Sequence, residues 1–168
     1  MDIGLVKDRR PFEHRVGLTP GGVRSRVEQG HRVYEESTAG DEAGFTDEAF
    51  QHVGGTVVYS EEEVLLRSRV VLRISPPARA DYERYQPGQV VIASWHLAVA
   101  TREAFTTLLD RQVTTVGYEV IEDDHGHAPV LEAMSEIAGR LAVIIGSGLM
   151  LNEFGGKGLD DGAKLVVA

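Results

Sequence analysis

Cysteine is missing from this 168-residue sequence. Its absence excludes disulfide bonds, metal sites built on thiolates and a cysteine nucleophile. It also fits a reducing compartment, so we predict a cytoplasmic location. One segment, Asp123-Asp124-His125-Gly126-His127, places two histidines beside two acids. No further ligands follow at a suitable spacing, and we interpret it as a solvated turn rather than a metal site.

Positive charge is scarce as well. Lys and Arg total 17 against 26 Asp and Glu, which gives a net charge of −9, and the basic residues are scattered along the chain. We therefore expect neither nucleic acid nor an anionic membrane surface as a partner. The longest apolar run, residues 141–151, is too short to span a bilayer, and the first residues lack a signal-peptide pattern. These features predict no direct membrane insertion.

The sequence does contain a regular alternation of two patterns. Short apolar runs rich in β-branched residues predict strands, and the segments between them show helical spacing and capping signals. This alternation predicts an α/β fold: a doubly wound parallel sheet, flavodoxin-like or Rossmann-like, of about six strands with flanking helices. The predicted strands are residues 3–6, 31–36, 56–59, 70–74, 89–93 and 113–117.

Capping signals mark where several helices begin. Thr19-Pro20 supplies an N-cap residue followed by proline at the first helical position, and Ser60 opens a capping box that ends at Glu63. We interpret the acids at 61–63 as an ordinary first helical turn and nothing more. The longest helical pattern runs from about Met134 to Glu153.

Four polar side chains follow predicted strands at the edge where parallel sheets bind their ligands. Arg15 follows the first strand, Arg73 and Ser75 end the fourth, and His96 follows the fifth. Residues 73 and 75 are two apart, so their side chains point the same way in an extended chain. A guanidinium can hold a carboxylate, and an imidazole can exchange a proton with a substrate oxygen. The arrangement predicts a site for a small oxo or amino acid, although solvated charges and a structural histidine also fit it.

Five segments in order, spread over nearly the whole chain, carry recognisable motifs: Glu13–Pro20, Gly30–Val33, Trp95–Ala98, Tyr118–Glu119 and Met134–Ala142. Together they resemble the amino-terminal domain of alanine dehydrogenases and nicotinamide nucleotide transhydrogenases. The first segment is similar to the ENRVALTP signature of that family. His96, the Tyr118-Glu119 pair and the intact segment from Met134 resemble alanine dehydrogenase more than transhydrogenase.

The resemblance implies a role for each site residue. Arg15 is expected to bind the substrate carboxylate, and His96 to hydrogen-bond the carbonyl or imine oxygen and act as the catalytic acid/base. Leu131, Met134 and Ser135 are expected to line the nicotinamide side of the cleft for an NAD cofactor. The implied reaction is reversible oxidative deamination, in which L-alanine, NAD and water give pyruvate, ammonia and NADH. The implied partners are an NAD-binding domain or subunit and further copies of the chain in a homo-oligomer.

The sequence departs from the family pattern at the end of the fourth strand. Alanine dehydrogenases carry Lys-x-Lys there, and the second lysine contacts substrate, whereas this chain has Arg73 and Ser75. Serine supplies no charge and arginine is not equivalent to lysine, so the electrostatics of substrate binding must differ. Transhydrogenases also lack the second lysine. Two alternatives therefore stay open: a transhydrogenase α-type segment, and a non-catalytic module that binds a small carboxylate.

The same resemblance implies the domain organisation. Residues 1–132 are expected to form the substrate-side domain, residues 133–153 a long inter-domain helix, and residues 154–168 the loop and first strand of a dinucleotide-binding domain that is missing. Residues 143–148 look like the start of a Gly-x-Gly-x-x-Gly motif, but Leu151 stands at its third glycine. We therefore expect a truncated or separately encoded piece that binds no dinucleotide phosphates and is inactive alone.

Overall fold

The computed structural model describes residues 1–96 and 102–151, without the side chains of 103–105. Leu97, Ala98 and the predicted loop and strand at 154–168 lie outside the described residues. Within these ranges the elements are β1 (Asp2–Leu5), α1 (Pro20–Glu28), β2 (Arg32–Glu36), α2 (Asp47–His52), β3 (Thr56–Val58), α3 (Glu61–Arg67), β4 (Val70–Leu72), β5 (Val90–Ala93), α4 (Arg102–Asp110), β6 (Thr114–Gly117) and α5 (Pro129–Leu149), with 3-10 turns at Asp41–Ala43, Arg79–Arg84 and Tyr118–Val120.

The strands form a single six-stranded sheet in the order β3-β2-β1-β4-β5-β6, and every neighbouring pair is parallel. The predicted fold class is therefore confirmed, and the order is that of a Rossmann-type sheet. Because all strands are parallel, their carboxyl ends lie along one edge.

Apolar side chains are buried on both faces of the sheet, as the doubly wound arrangement requires. Successive strand residues point to opposite faces, so Val71 and Leu72 of β4 belong to different clusters. The cluster on one face also contains Leu65, Tyr82, Tyr85, Val91 and Trp95. The cluster on the other face contains Ile3, Leu5, Val23, Val33 and Phe50.

The helix ends follow local signals. Thr19 Oγ1 accepts a hydrogen bond from the Gly22 amide over 3.3 Å, and Ser60 Oγ accepts one from the Glu63 amide over 3.2 Å, as predicted. The long helix is α5, which begins at Pro129 and ends at Leu149. The predicted start at Met134 is therefore too late, because proline at the first helical position marks the true start.

The chain divides into two compact units, Met1–Glu119 and Val120–Ala168. The whole sheet lies in the first unit, and α5 lies in the second. The predicted boundary between residues 132 and 133 stays a prediction. Across residues 1–96 and 102–151, no helix combines the length and the apolar character needed to cross a membrane.

Candidate functional site

The candidate site lies at the carboxyl-terminal edge of the sheet, where β1 and β4 run side by side. The chain winds outward in opposite directions from these two strands, and sheets of this kind bind ligands in the crevice at that point. Two hydrogen bonds join the loops that follow them. The Val6 amide donates to the Leu72 carbonyl over 3.3 Å, and the Ser75 amide donates to Asp8 Oδ2 over 2.7 Å.

Arg73 follows β4, and its side chain is only 8% exposed. Its Nε donates to the Ser75 carbonyl over 3.1 Å, and its Nη1 donates to Glu61 Oε1 over 3.1 Å and to the Tyr85 hydroxyl over 2.9 Å. Burial opposes the charge, but Tyr85 and Glu61 outweigh it and hold the pKa of the Arg73 guanidinium above its usual value. Arg73 is therefore a fixed cation whose Nη2 has no hydrogen bond to any described residue.

Glu61 is the centre of an ion-pair cluster. It begins α3, and its side chain is 8% exposed. In addition to Arg73, its Oε2 accepts from Arg9 over 3.3 Å and from Arg84 over 2.9 Å. Arg9 also pairs with Glu36 at the end of β2. Residues 61–63 do form the first turn of α3, as predicted. The prediction that they do nothing more is wrong for Glu61, whose partners come from segments that only the folded sheet brings together.

A cavity of about 280 Å³ opens beside this cluster. Arg73 and Ser75 both line it. The rest of its wall comes from the loop after β1, the start of α3 and the segment after Ser75: Asp8, Arg9, Arg10, Glu61, Pro76, Pro77, Ala78 and Asp81. Its volume is near the lower end of the range for small-molecule sites.

Arg15 lies between β1 and α1, and its side chain is 53% exposed. Its Nε and Nη2 donate to the two carboxylate oxygens of Glu13 over 2.7 and 2.6 Å, and this fork holds the pKa of Glu13 below its usual value. Arg15 lines a small hollow that shares Asp8 with the larger cavity. To bind a substrate carboxylate through the same two nitrogen atoms, Arg15 must release Glu13.

His96 follows β5 and is exposed. Its backbone has a φ of 47°, in the left-handed region, and its amide donates to Glu119 Oε1 over 2.7 Å. The preceding Trp95 is 5% exposed, and its indole Nε1 donates to the Val91 carbonyl over 3.2 Å. His96 lines neither of the two cavities described above, and its predicted role at the substrate oxygen stays a prediction.

Glu119 is a residue to which the sequence analysis gave no role. It fixes the backbone of His96, and its Oε2 is buried without a hydrogen bond to any residue in the described part of the chain. Gly117 leaves room for this carboxylate, because a Cβ there would lie 2.8 Å from Glu119 Oε1. The neighbouring positions of β5 and β6 in the predicted sheet could have suggested the contact.

Comparison with known proteins identifies the family. The profile of the family described as "Alanine dehydrogenase/PNT, N-terminal domain" matches residues 4–138. The chain belongs to this family. The alanine dehydrogenase of Methanococcus maripaludis is 33% identical over 159 residues, which cover 95% of this chain and 42% of that protein. The alanine dehydrogenase of Bacillus subtilis is 36% identical, with 95% of this chain and 41% of that protein covered.

Solved structures agree with this assignment to the alanine dehydrogenase/PNT family. An L-alanine dehydrogenase superposes with a TM-score of 0.86 at 38% identity, covering 95% of this chain and 44% of its own. A transhydrogenase from Sinorhizobium meliloti superposes with a TM-score of 0.66 at 23% identity, covering 72% of this chain and 36% of its own, which shows a shared fold alone. The chain thus spans less than half the length of the curated relatives named here.

All the predicted site residues lie within the range that the family profile matches. Arg73 and Ser75 lie together at the cavity. Leu131, Met134 and Ser135 lie near the start of α5, in the second unit, and their spacing places them on one helix face. The roles of all these residues stay predictions.

The two histidines near Asp123 form a turn. Asp123 Oδ1 accepts hydrogen bonds from the amides of His125 and His127 over 2.8 and 2.9 Å. Among residues 1–96 and 102–151, no three His, Asp or Glu side chains are grouped so that they could hold a metal ion.

Proposed function

We propose that this chain is the substrate-side domain of an NAD-dependent oxidoreductase that interconverts a small amino acid and its 2-oxo acid. The reaction named by its relatives, between L-alanine and pyruvate, is the starting hypothesis. The observation that best supports the proposal is the buried Arg73 guanidinium, fixed beside Ser75 at the edge where a parallel sheet binds ligands.

Each site residue has a part in this proposal. Arg15 binds and orients the substrate carboxylate, and Arg73 adds positive charge to the site. The imidazole of His96 donates a hydrogen bond to the carbonyl or imine oxygen and passes a proton to or from it, as the general acid/base of the reaction. NAD would supply the acceptor for the hydride that leaves the substrate carbon.

The described residues fit only part of the cofactor. Leu131, Met134 and Ser135 offer one helix face for the nicotinamide. The amino terminus of α1, where a Rossmann sheet commonly binds a pyrophosphate, is occupied differently: Pro20 lacks an amide proton, and Thr19 caps the Gly22 amide. We therefore propose that residues outside the described part hold the phosphates of NAD.

One observation favours a second candidate. Ser75 stands where alanine dehydrogenases are expected to carry a lysine, and transhydrogenases share that feature, so a transhydrogenase α-type segment is the alternative. A module that binds a carboxylate without catalysis is the third candidate. Hydride transfer between NADH and an NADP analogue, measured with added membrane subunits, would favour the transhydrogenase over the other two.

The site assignment is tested by titrating the chain with pyruvate. Trp95 is the single tryptophan and precedes His96, so its fluorescence should report binding. We expect His96→Asn and Arg15→Ala each to weaken binding about tenfold or more, because each removes a hydrogen bond to the ligand. Asparagine is chosen because it tolerates the left-handed backbone of His96.

His52→Asn is the matched control, since His52 is an exposed histidine in the last turn of α2, and it should bind pyruvate like the unchanged chain. Pyruvate affinity that is the same in all four proteins would remove Arg15 and His96 from the site.

A further inference from the structure

The cavity at the β1–β4 crevice is lined by hydrogen-bond donors that contact no described residue. The three hydrogen bonds of the Arg73 side chain, to Ser75, Glu61 and Tyr85, leave its Nη2 without a partner among the described residues. Arg10 also lines the cavity. Its exposed guanidinium forms no hydrogen bond or ion pair with any residue in the described part. Both arginines can therefore donate a hydrogen bond to an acceptor atom of a ligand.

The acids around the cavity are, in contrast, already engaged. Asp8 accepts from the Ser75 amide over 2.7 Å and from the Arg10 amide over 2.9 Å. Both oxygens of Glu61 accept from arginines, and Asp81 pairs with Arg84 over 3.4 Å. A ligand that enters the cavity thus meets free donors and occupied acceptors, which favours an anionic group.

Ser75 provides the space for such a group. Its short side chain is 5% exposed and lines the cavity, whereas the lysine expected at this position would extend into the same volume. The remaining wall, Pro76, Pro77 and Ala78, is apolar and supplies no further charge. A volume of about 280 Å³ exceeds what the methyl group of alanine or pyruvate requires.

We propose that this cavity binds the distal carboxylate of a dicarboxylic amino or 2-oxo acid, with Arg73 Nη2 and the Arg10 guanidinium as its donors. The inference rests on the proposed function and narrows it: the substrate side chain ends in a carboxylate rather than a methyl group. Arg73 is held in place by Glu61 and Tyr85, so its side chain need not reorganise when the ligand binds. This lack of reorganisation favours affinity.

Calorimetric titration of the 168-residue chain with three oxo acids tests the proposal. α-Ketoglutarate carries a terminal carboxylate, α-ketoisocaproate has the same main-chain length with a neutral branched end, and pyruvate has only a methyl group. We expect α-ketoglutarate to bind about tenfold more tightly than either of the others, since charge-assisted hydrogen bonds to a desolvated guanidinium are strong.

Two variants locate the distal carboxylate. Arg10→Gln alters an exposed side chain and should cut the preference for α-ketoglutarate over α-ketoisocaproate to about threefold or less. Arg73→Lys keeps the charge but removes the planar fork, and should cut it similarly. If Arg73→Lys does not fold, Arg10→Gln and the unchanged chain still decide. Arg69→Gln, at the amino end of β4 and exposed, is the control and should leave the preference unchanged.

Each contrary outcome has a distinct meaning. Equal binding of α-ketoglutarate and α-ketoisocaproate, with pyruvate binding that His96→Asn weakens, overturns the dicarboxylate proposal and leaves the proposed function standing. A preference that neither arginine variant alters places the distal carboxylate elsewhere and also overturns it. Failure of all three oxo acids to bind overturns the proposed function together with the inference.

Discussion

Glu35 is a carboxylic acid in the interior of the sheet. It lies in β2 and is 0% exposed, and neither carboxyl oxygen has a hydrogen bond to a described residue. Burial, and then the nearby Asp47 and Asp41, raise its pKa to about 8 from a usual value of 4.5, although the backbone of Gly40 favours the charged form. Glu35 is therefore protonated at neutral pH in the folded chain.

This raised pKa predicts how stability changes with pH. Below the unfolded-state value of 4.5 both states are protonated, so Glu35 has no effect. Between that value and about 8, folding takes up a proton, and each pH unit lowers the free energy of unfolding by at most about 1.4 kcal/mol. We expect Glu35→Gln to remove this loss, as measured by urea denaturation between about pH 5 and about pH 8.

Glu28→Gln is the control, because Glu28 is exposed at the end of α1, and its curve should follow that of the unchanged chain. Acids with lowered pKa values, such as Asp8 and Glu13, lose their stabilising effect only in more acidic solution. These acids therefore do not alter the pH dependence of stability in the range where Glu35 does. Parallel pH profiles for the unchanged chain and Glu35→Gln would contradict the assignment.

Residues differ in how far the sequence reveals their roles. The caps at Thr19 and Ser60 depend on neighbours within three positions, so they can be predicted locally and are confirmed. Glu61 and Arg73 lie twelve residues apart and meet only because α3 and the end of β4 share one face of the sheet. The burial of Glu35 likewise depends on the tertiary structure, since a polar residue in an alternating strand is expected to face solvent.

Among the elements, α3 packs closely on β1. A Cβ built on Gly4 of β1 would lie 2.5 Å from Val64 Cγ1 and 2.5 Å from Ser68 Oγ of the segment that ends α3. We expect Gly4→Ala to lower the free energy of unfolding by about 1–3 kcal/mol, because the helix must move away from the strand. Equilibrium denaturation in urea measures this change.

Gly21→Ala is the matched control. Gly21 lies in the first turn of α1, and a Cβ there would have only Thr19 Oγ1 nearby, at 3.7 Å. Alanine should leave stability unchanged or raise it by about 0.4–1 kcal/mol, since it restricts the unfolded chain. If Gly4→Ala unfolds at the same urea concentration as Gly21→Ala, then α3 and β1 are not packed as closely as described.

The elements themselves were largely accessible from the sequence. Most strands of the observed sheet were predicted from apolar runs, because strands buried on both faces are nearly continuous in hydrophobicity. The strand at 31–36 was predicted from the alternation of its residues instead. The end of β4 is different: Leu72 is its last residue, whereas the prediction continued to Ile74. Beyond Leu72 the Arg73 amide still donates to the Ile92 carbonyl over 3.0 Å, but the Arg73 side chain joins the ion-pair cluster around Glu61, a contact that hydrophobicity does not encode.

For the molecule as a whole, we expect substrate binding and cofactor binding to be separable. The sheet, the Arg73 cavity and His96 all lie within Met1–Glu119, and the family profile ends at residue 138. The relatives named above are more than twice as long as the part that this chain matches. Substrate binding should therefore be a property of the 168-residue chain, whereas hydride transfer also requires a group that holds the phosphates of NAD.

The last prediction follows from this expected separation of substrate binding and hydride transfer. With NAD and either L-alanine or L-glutamate, we expect the purified chain to form no NADH, because the amino terminus of α1 is not free to bind the phosphates. Binding of the corresponding oxo acids should nevertheless be measurable in the same preparation. The full-length alanine dehydrogenase of Bacillus subtilis, assayed by NADH absorbance under the same conditions, is the positive control. If the chain forms NADH and His96→Asn abolishes this activity, then the chain itself holds the cofactor. That result would contradict the proposal that the phosphates of NAD are held outside the described residues.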